Sequence, residues 1–195
     1  YNSPWNIAAD FKVDMSFNPA EISTMLKDYA NETGVKIDIP TMSKKLHEYT
    51  AGYPFLVSKL CKTIDEDILP KKQEKAWDTG DLEQAVALLL NERNTNFDSL
   101  FNNLEHHPEL YELTQEIILG QKEVGYAPDN RLIMLGVSFG IFREENGKVR
   151  IHNGIYEQRI YNHFISYMET RGLKGIDINR YNYHGNFSLP DGRLD

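Results

Sequence analysis

Apolar residues recur every three or four positions through most of this chain, which is the spacing of one face of an α-helix. In residues 17–70 the pattern predicts three helices. The first begins at Asn18, which can cap the free N–H groups, while Glu21 can reach back from the third helical position. The second runs from about Pro40 to Ala51, and the third follows Pro54.

The second half of the chain continues with helical spacing and then changes to the alternation of a β-hairpin. Three further helices are predicted between residues 81 and 118, and a short one from Asp129 to Leu135. Strands at 137–143 and 148–152 flank Asn146-Gly147, a dipeptide typical of tight hairpin turns. A long helix follows, from about Ile155 to Thr170. A short helix, a two-stranded wing and a closing helix, in this order, predict a winged-helix domain.

Polar residues after Pro70 mark a joint between the two halves. We therefore predict a mainly α protein, in which a helical bundle, residues 17–70, precedes a winged-helix domain with leading helices, residues 71–170. Residues 1–16 are predicted to be extended, because Phe11, Val13 and Met15 alternate as in a half-buried strand. Residues 171–195 lack clear periodicity and are predicted to be a linker.

The composition is that of an ordinary globular protein, with 26% charged residues and a formal net charge of −8 in 195 residues. This charge argues against a general nucleic-acid binder, because neutralising phosphates requires clustered Lys and Arg. The single cysteine, Cys61, excludes an internal disulfide and fits a reducing compartment. No apolar run approaches membrane-spanning length, so we expect a cytoplasmic protein with no membrane partner. Because the chain begins at Tyr1 rather than Met, we also expect a fragment of a longer protein.

The five residues 136–140 match the Gly-x-Ser-x-Gly pattern of serine hydrolases. That chemistry requires a strand, a strained turn that carries the serine, and a helix, all on a parallel sheet. Here a helix is predicted to lead into a hairpin, so we reject Ser138 as a nucleophile. The histidines lack metal-ligand spacing. We interpret His107 as a helix cap and Cys61 as a buried structural thiol.

The tripeptide Gly52-Tyr53-Pro54 joins the second predicted helix to the third. Glycine tolerates the left-handed conformation just past a helix end, and proline suits the first turn of the next helix. The pattern predicts a tight corner, which is either ordinary helix termination or the floor of a nucleotide pocket. Because the sequence contains no Gly-x-x-x-x-Gly-Lys-Ser/Thr loop, contact with ATP would come only from the adenine side.

The run from Thr50 to Leu56, with Phe17 to Ile22 before it, resembles the lid of AAA-like ATPases of the STAND type. In those proteins a lid of three or four helices carries a Gly-x-Pro motif, and a winged-helix domain follows. Residues 3–8 resemble a segment that bacterial members place after the sensor-1 strand. Residues 135–136, 140–142 and 151–156 resemble the wing and its exit helix. Residues 185–195 are similar to the connector of a bacterial subgroup in which a PD-(D/E)xK nuclease-like domain follows.

The resemblance implies that ATP or ADP binds together with an ATPase core of the same protein, whose phosphate-binding segments would precede Tyr1. In such ATPases the proline of the Gly-x-Pro motif packs on the adenine. The chain itself would be non-catalytic, closing over the nucleotide and passing its state to the winged helix. No sensor-2 arginine is assigned, since the third helix offers only lysines, Lys59 and Lys62. The expected nucleotide-binding residues are Pro4, Trp5, Asn6, Ile7, Gly52, Tyr53 and Pro54.

The alternative interpretation is a free-standing winged-helix regulator that binds nucleic acid or docks a protein. The predicted recognition helix has Arg131 as its one basic residue, and the hairpin mixes basic residues with Glu144 and Glu145. Reading a major groove requires more positive charge than this. The sequence therefore favours a protein partner at the winged helix and disfavours nucleic acid.

Overall fold

Eight α-helices and two pairs of short strands form the part of the chain that the computed structural model describes, residues 16–170. The prediction of a mainly helical protein with a two-stranded antiparallel hairpin is confirmed. The extended segment and the linker predicted at the two ends lie outside the described residues, apart from Ser16. The helices are α1 (Pro19–Thr33), α2 (Ile39–Thr50), α3 (Pro54–Thr63), α4 (Thr79–Asn91), α5 (Thr95–Glu105), α6 (Pro108–Ile118), α7 (Arg131–Ser138) and α8 (Gly154–Thr170). The strands are β1 (Lys36–Ile37), β2 (Ala76–Trp77), β3 (Phe142–Glu145) and β4 (Lys148–Ile151).

The chain divides into two compact units between Asp78 and Thr79, beyond the joint that we predicted after Pro70. The reason is that β1 and β2 pair in parallel within the first unit. The Trp77 side chain is 4% exposed, and its ring centroid lies 4.8 Å from that of Tyr29. Residues 71–78 therefore belong to the first unit, because a buried tryptophan fastens them to α1.

The first helix is capped as the sequence predicts. The Asn18 side chain accepts hydrogen bonds from the backbone N–H groups of Ala20 and Glu21, and the Glu21 carboxylate accepts one from the Asn18 N–H at 2.8 Å. This reciprocal capping box fixes where α1 starts. The apolar side chains that α1, α2 and α3 bury together include Ile22, Leu26, Met42, Leu46, Leu56, Val57 and Leu60.

A π-helical turn, Ile64–Ile68, continues the third helix. Ile64 and Ile68 are buried. Asp65 in this turn accepts a hydrogen bond from the Tyr29 hydroxyl of α1. Burial, together with the hydrogen bond and charge of Asp65, raises the pKa of Tyr29 to about 12. The π-helical turn is thus joined to α1 by the hydrogen bond between Tyr29 and Asp65, a contact that the spacing of apolar residues does not predict.

The hairpin of the second unit forms at the predicted place. β3 and β4 are antiparallel, with Phe142 opposite Ile151 and their turn at Asn146 and Gly147. The two turn residues have φ angles of 53° and 73°, as a type I′ turn requires. The Val149 N–H also donates to the carbonyl oxygen of residue 124, at 2.9 Å. The segment around Val124 and Gly125 therefore lies beside β4.

The helix before the hairpin lies later in the chain than we predicted: α7 is Arg131–Ser138, whereas the expected helix started at Asp129. Asn130 sets the start, because its side chain accepts hydrogen bonds from two backbone N–H groups of the first turn, at 3.0 and 3.2 Å. The first strand, expected from residue 137, consequently begins at Phe142. The expected bounds of α2 and α8 agree with the structure to within one residue.

Ser138 is the last residue of α7. Its hydroxyl donates to the Leu135 carbonyl at 2.8 Å. A serine at a helix C-terminus, bonded to its own helix, does not have the strand–turn–helix geometry of a hydrolase nucleophile.

The interior of α7 supplies a test of packing at Gly136. A Cβ atom on Gly136 would lie 2.2 Å from the ring of Phe142, which is 1% exposed. Gly136→Ala gains about 1 kcal/mol of helix propensity, but overpacking costs about 1–3 kcal/mol. We expect a net loss of stability in urea denaturation.

Phe142→Ala is the matched background for this test. On that background we expect Gly136→Ala to be neutral or stabilising, because the ring that opposes the new methyl group is gone. Stabilisation by Gly136→Ala in the wild-type chain would contradict the packing described here.

Candidate functional site

The corner between α2 and α3 consists of residues 50–55, which we call the α2–α3 corner. Two successive residues after α2 are left-handed, Ala51 with φ 48° and Gly52 with φ 74°. The Tyr53 N–H donates to the Thr50 carbonyl at 3.0 Å, and α3 begins directly afterwards with Pro54. Three of the expected site residues thus lie together in one tight bend. The other four, residues 4–7, lie outside the described part of the chain.

Thr50 stabilises this bend from inside and was missed by the sequence analysis. Its side chain is fully buried. The hydroxyl donates to the Leu46 carbonyl at 2.6 Å and accepts the Gly52 N–H at 3.1 Å. A hydroxyl residue at the last position of a helix is the signal that could have identified it, since Ser and Thr readily bond to nearby backbone groups.

Gly52 is required for a reason beyond its φ angle. The chain that enters α1 crosses the corner here, and the Phe17 N–H donates to the Gly52 carbonyl at 2.8 Å. A Cβ atom on Gly52 would lie 1.9 Å from the Phe17 carbonyl oxygen, which is impossible without moving the backbone. The crossing therefore admits only glycine.

The outer side of the corner is apolar and partly open. Pro54 and Tyr53 are partly exposed, and Phe55 is 39% exposed. The Tyr53 and Phe55 ring centroids are 6.4 Å apart at an interplanar angle of 55°. The next residues of α3, Leu56 and Val57, are fully buried. The corner therefore presents a proline and two aromatic rings outward, on a base fixed by the core.

Two groups of α3 that could supply other chemistry, Lys62 and Cys61, are paired or shielded from solvent. Lys62 lies 3.7 Å from the Glu66 carboxylate. Burial raises the pKa of the Cys61 thiol to about 12, which agrees with its interpretation as a structural thiol, although the residue as a whole is partly exposed. At neutral pH this sulfur is not a thiolate nucleophile.

His107 occupies the N-cap position of α6, but its side chain does not cap that helix. Its Nδ1 lies 2.8 Å from the Asn103 carbonyl oxygen instead, at the end of α5. The expectation of a capping histidine is therefore wrong for the side chain. Among residues 16–170, no three His, Cys, Asp or Glu side chains are arranged to hold a metal ion.

A second polar feature is the hairpin ion-pair cluster, made of Glu123, Arg143, Glu145, Lys148 and Arg150. Lys148 is paired with Glu123, Arg143 lies 2.8 Å from Glu145, and Arg150 lies 3.6 Å from Glu123 and 3.9 Å from Glu145. The hydrogen bond and charge of Lys148 lower the pKa of Glu123. All three hairpin cations thus have a carboxylate partner. Glu123 is not among the residues expected from the sequence, because it lies outside the strands.

Two glycines at helix ends allow a matched test of the corner. Gly34 has φ 71° with open space around its Cβ position, whereas Gly52 has φ 74° and the Phe17 backbone against it. We expect Gly34→Ala to cost about 1–2 kcal/mol, the penalty for a left-handed alanine. Gly52→Ala carries the same penalty and must also displace Phe17 and its hydrogen bond, so it should cost at least about 1 kcal/mol more.

Urea denaturation of both variants measures the difference, since a shift of the midpoint at constant slope reports stability alone. Equal costs for Gly34→Ala and Gly52→Ala would show that the Phe17 crossing does not constrain the corner.

Comparison with known proteins yields no relative. No protein-family profile matches the chain, and neither curated proteins nor solved structures show a significant match to it. Within residues 16–170, no helix has both the length and the apolar character that crossing a bilayer requires. Support for a function therefore comes from the α2–α3 corner and the hairpin ion-pair cluster.

Proposed function

We propose that this chain is a regulatory, non-catalytic portion of an AAA-like ATP-binding protein. Residues 17–78 act as a helical lid that completes the adenine side of a nucleotide site, and residues 79–170 form a winged-helix domain that follows the lid. The observation that carries the proposal is the outward-facing apolar wall of Tyr53, Pro54 and Phe55 at a rigid corner.

The chemistry of adenine suits such a wall. The base has a flat apolar face, and stacking it on an aromatic side chain contributes about 1–3 kcal/mol. Association itself costs several kcal/mol in lost translational and rotational freedom. The corner alone therefore gives an affinity no tighter than about 1 mM. The rest of the binding free energy would come from the phosphates of ATP or ADP, held by an ATPase core of the same protein.

The winged-helix assignment of the second unit rests on the order of its elements. Helix α6 is followed by the segment that contacts β4, then by α7, the hairpin and α8. This order fits a recognition helix followed by a wing. Because each cation of the hairpin is paired with a carboxylate, the wing fits a protein partner better than the phosphates of nucleic acid.

Nucleoside titration tests the corner. In the isolated chain we expect adenosine and ATP, each at about 1–10 mM, to shift the amide NMR signals of Tyr53 and Phe55 to a similar extent. Inorganic triphosphate should shift neither, because the contact is with the base. Phe55→Ala should reduce the effect of adenosine.

Leu88→Ala is the control, since Leu88 is an exposed apolar residue of the second unit, 49% exposed against 39% for Phe55. It should leave the adenosine-induced shifts unchanged. A dissociation constant for ATP below about 1 μM in the isolated chain, or no response of the corner to adenosine, would overturn the proposal.

A gel-shift assay separates the proposal from a nucleic-acid-binding regulator. We expect the wild-type chain not to retard duplex DNA at low salt. The double change Glu123→Gln and Glu145→Gln removes the partners of the hairpin cations, and should give weak retardation that disappears steeply as salt is added.

The matched control is Glu48→Gln with Glu66→Gln, which raises the net charge equally by breaking two exposed ion pairs of the first unit. It should not produce retardation. Steeply salt-dependent binding by the wild-type chain would instead support the alternative regulator.

A further inference from the structure

His163 of α8 is the centre of an aromatic cluster in the second unit. Its ring is stacked on Phe101 of α5, with centroids 4.5 Å apart at 26°, and lies nearly parallel to Tyr167, 6.1 Å away at 19°. Tyr111 of α6 and Phe164 approach it edge-on, at 6.2 and 5.9 Å. Through this one imidazole, α8 contacts both α5 and α6.

A fixed positive charge lies one helical turn before His163. The Arg159 guanidinium lies over the ring of Phe97, 5.1 Å from its centroid, and 6.0 Å from that of Phe101. It also donates to the Leu90 carbonyl and, at 3.4 Å, to the Glu92 carbonyl. These contacts hold the Arg159 guanidinium in place, and the charges that act on it are those of Asp98 and Arg93.

Three influences set the pKa of His163. Burial is the largest of them and lowers this pKa, and the positive charge of Arg159 lowers it further. The Glu105 carboxylate of α5 favours the proton. Tyr111 and Tyr167 also place their rings against the imidazole.

We propose that His163 is a pH-sensitive contact of α8: uptake of a proton by its imidazole weakens the packing of α8 against α5 and α6 in mildly acidic solution. Like charges four residues apart on a helix repel, and here Arg159 is held in place. The stacked rings and Glu105 offset only part of the cost of burying the new charge.

The direction follows from linkage. A histidine with a lowered pKa in the folded state binds fewer protons there than in the opened state, so stability is full above about pH 6.5 and falls below it. The loss levels off once the pH passes below the folded-state pKa. Each pH unit between the two values changes the opening equilibrium about tenfold.

Hydrogen exchange with mass or NMR detection on the full chain tests this. We expect the protection factors of α8 amides, corrected for intrinsic exchange, to fall between about pH 7.5 and pH 5.5 in the wild type. They should stay constant in His163→Phe, which keeps a stacking ring without a titrating group. His106→Gln, which removes an exposed histidine of the same unit, should behave like the wild type.

If His163→Phe does not fold, NMR titration of the His163 imidazole in the wild type provides a second test, because it measures the pKa of this group directly. His163 should titrate below about 6.5, and lower still in Glu105→Gln, where the favourable carboxylate is lost. The proposal is overturned if His163 titrates at or above its ordinary value. It is equally overturned if α8 protection does not change with pH in the wild type, or changes as much in His163→Phe.

Discussion

The backbone crossing of Phe17 over Gly52 is the constraint on which the first unit depends. At this point the Phe17 N–H donates to the Gly52 carbonyl, and only a hydrogen atom fits where a side chain would be. Because Phe17 directly precedes the cap of α1, the crossing ties the start of α1 to the junction of α2 and α3. The inner side of α3 is thereby committed to the core, and Pro54 and Phe55 are left facing outward. A partner that uses this wall would meet a surface already in place, so little ordering free energy would be spent on binding.

Ion pairs between neighbouring side chains characterise the hairpin of the second unit. The hairpin cations are paired with the carboxylates of Glu145 and Glu123, so the hairpin offers little net field to a polyanion. Inside the same unit, the positive charge of Arg159 is held in a different way. Arg159 donates to backbone carbonyls and lies over aromatic faces, and Asp98 is the carboxylate that acts on its charge. The charge of Arg159, next to a half-buried imidazole, gives α8 its proposed sensitivity to acid.

Local signals in the sequence were sufficient for much of this structure. The capping box at Asn18, the ends of α2 and the tight turn at Asn146-Gly147 depend on residues within about four positions of one another. The cap and the turn were predicted correctly, and the ends of α2 to within one residue. The misplaced start of α7 was also a local question. Asp129 and Asn130 are both good caps, and only the hydrogen bonds of Asn130 show which one the helix uses. At the α2–α3 corner, the sequence predicted the roles of Gly52 and Pro54 in the bend. It did not predict the buried hydrogen bonds of Thr50 or the contact of the Phe17 backbone with Gly52.

By itself the sequence determined which segments are helical, the capping box of α1 and the tight turns, because propensity, capping and glycine or proline geometry act through neighbouring residues. Only the tertiary structure decided where the first unit ends, since Trp77 meets Tyr29 from far along the chain. It also decided the pairing of Glu123 with Lys148 and the stacking of His163 on Phe101. These contacts join residues that are separated in sequence, and their free energy depends on burial and distance, which no local pattern encodes.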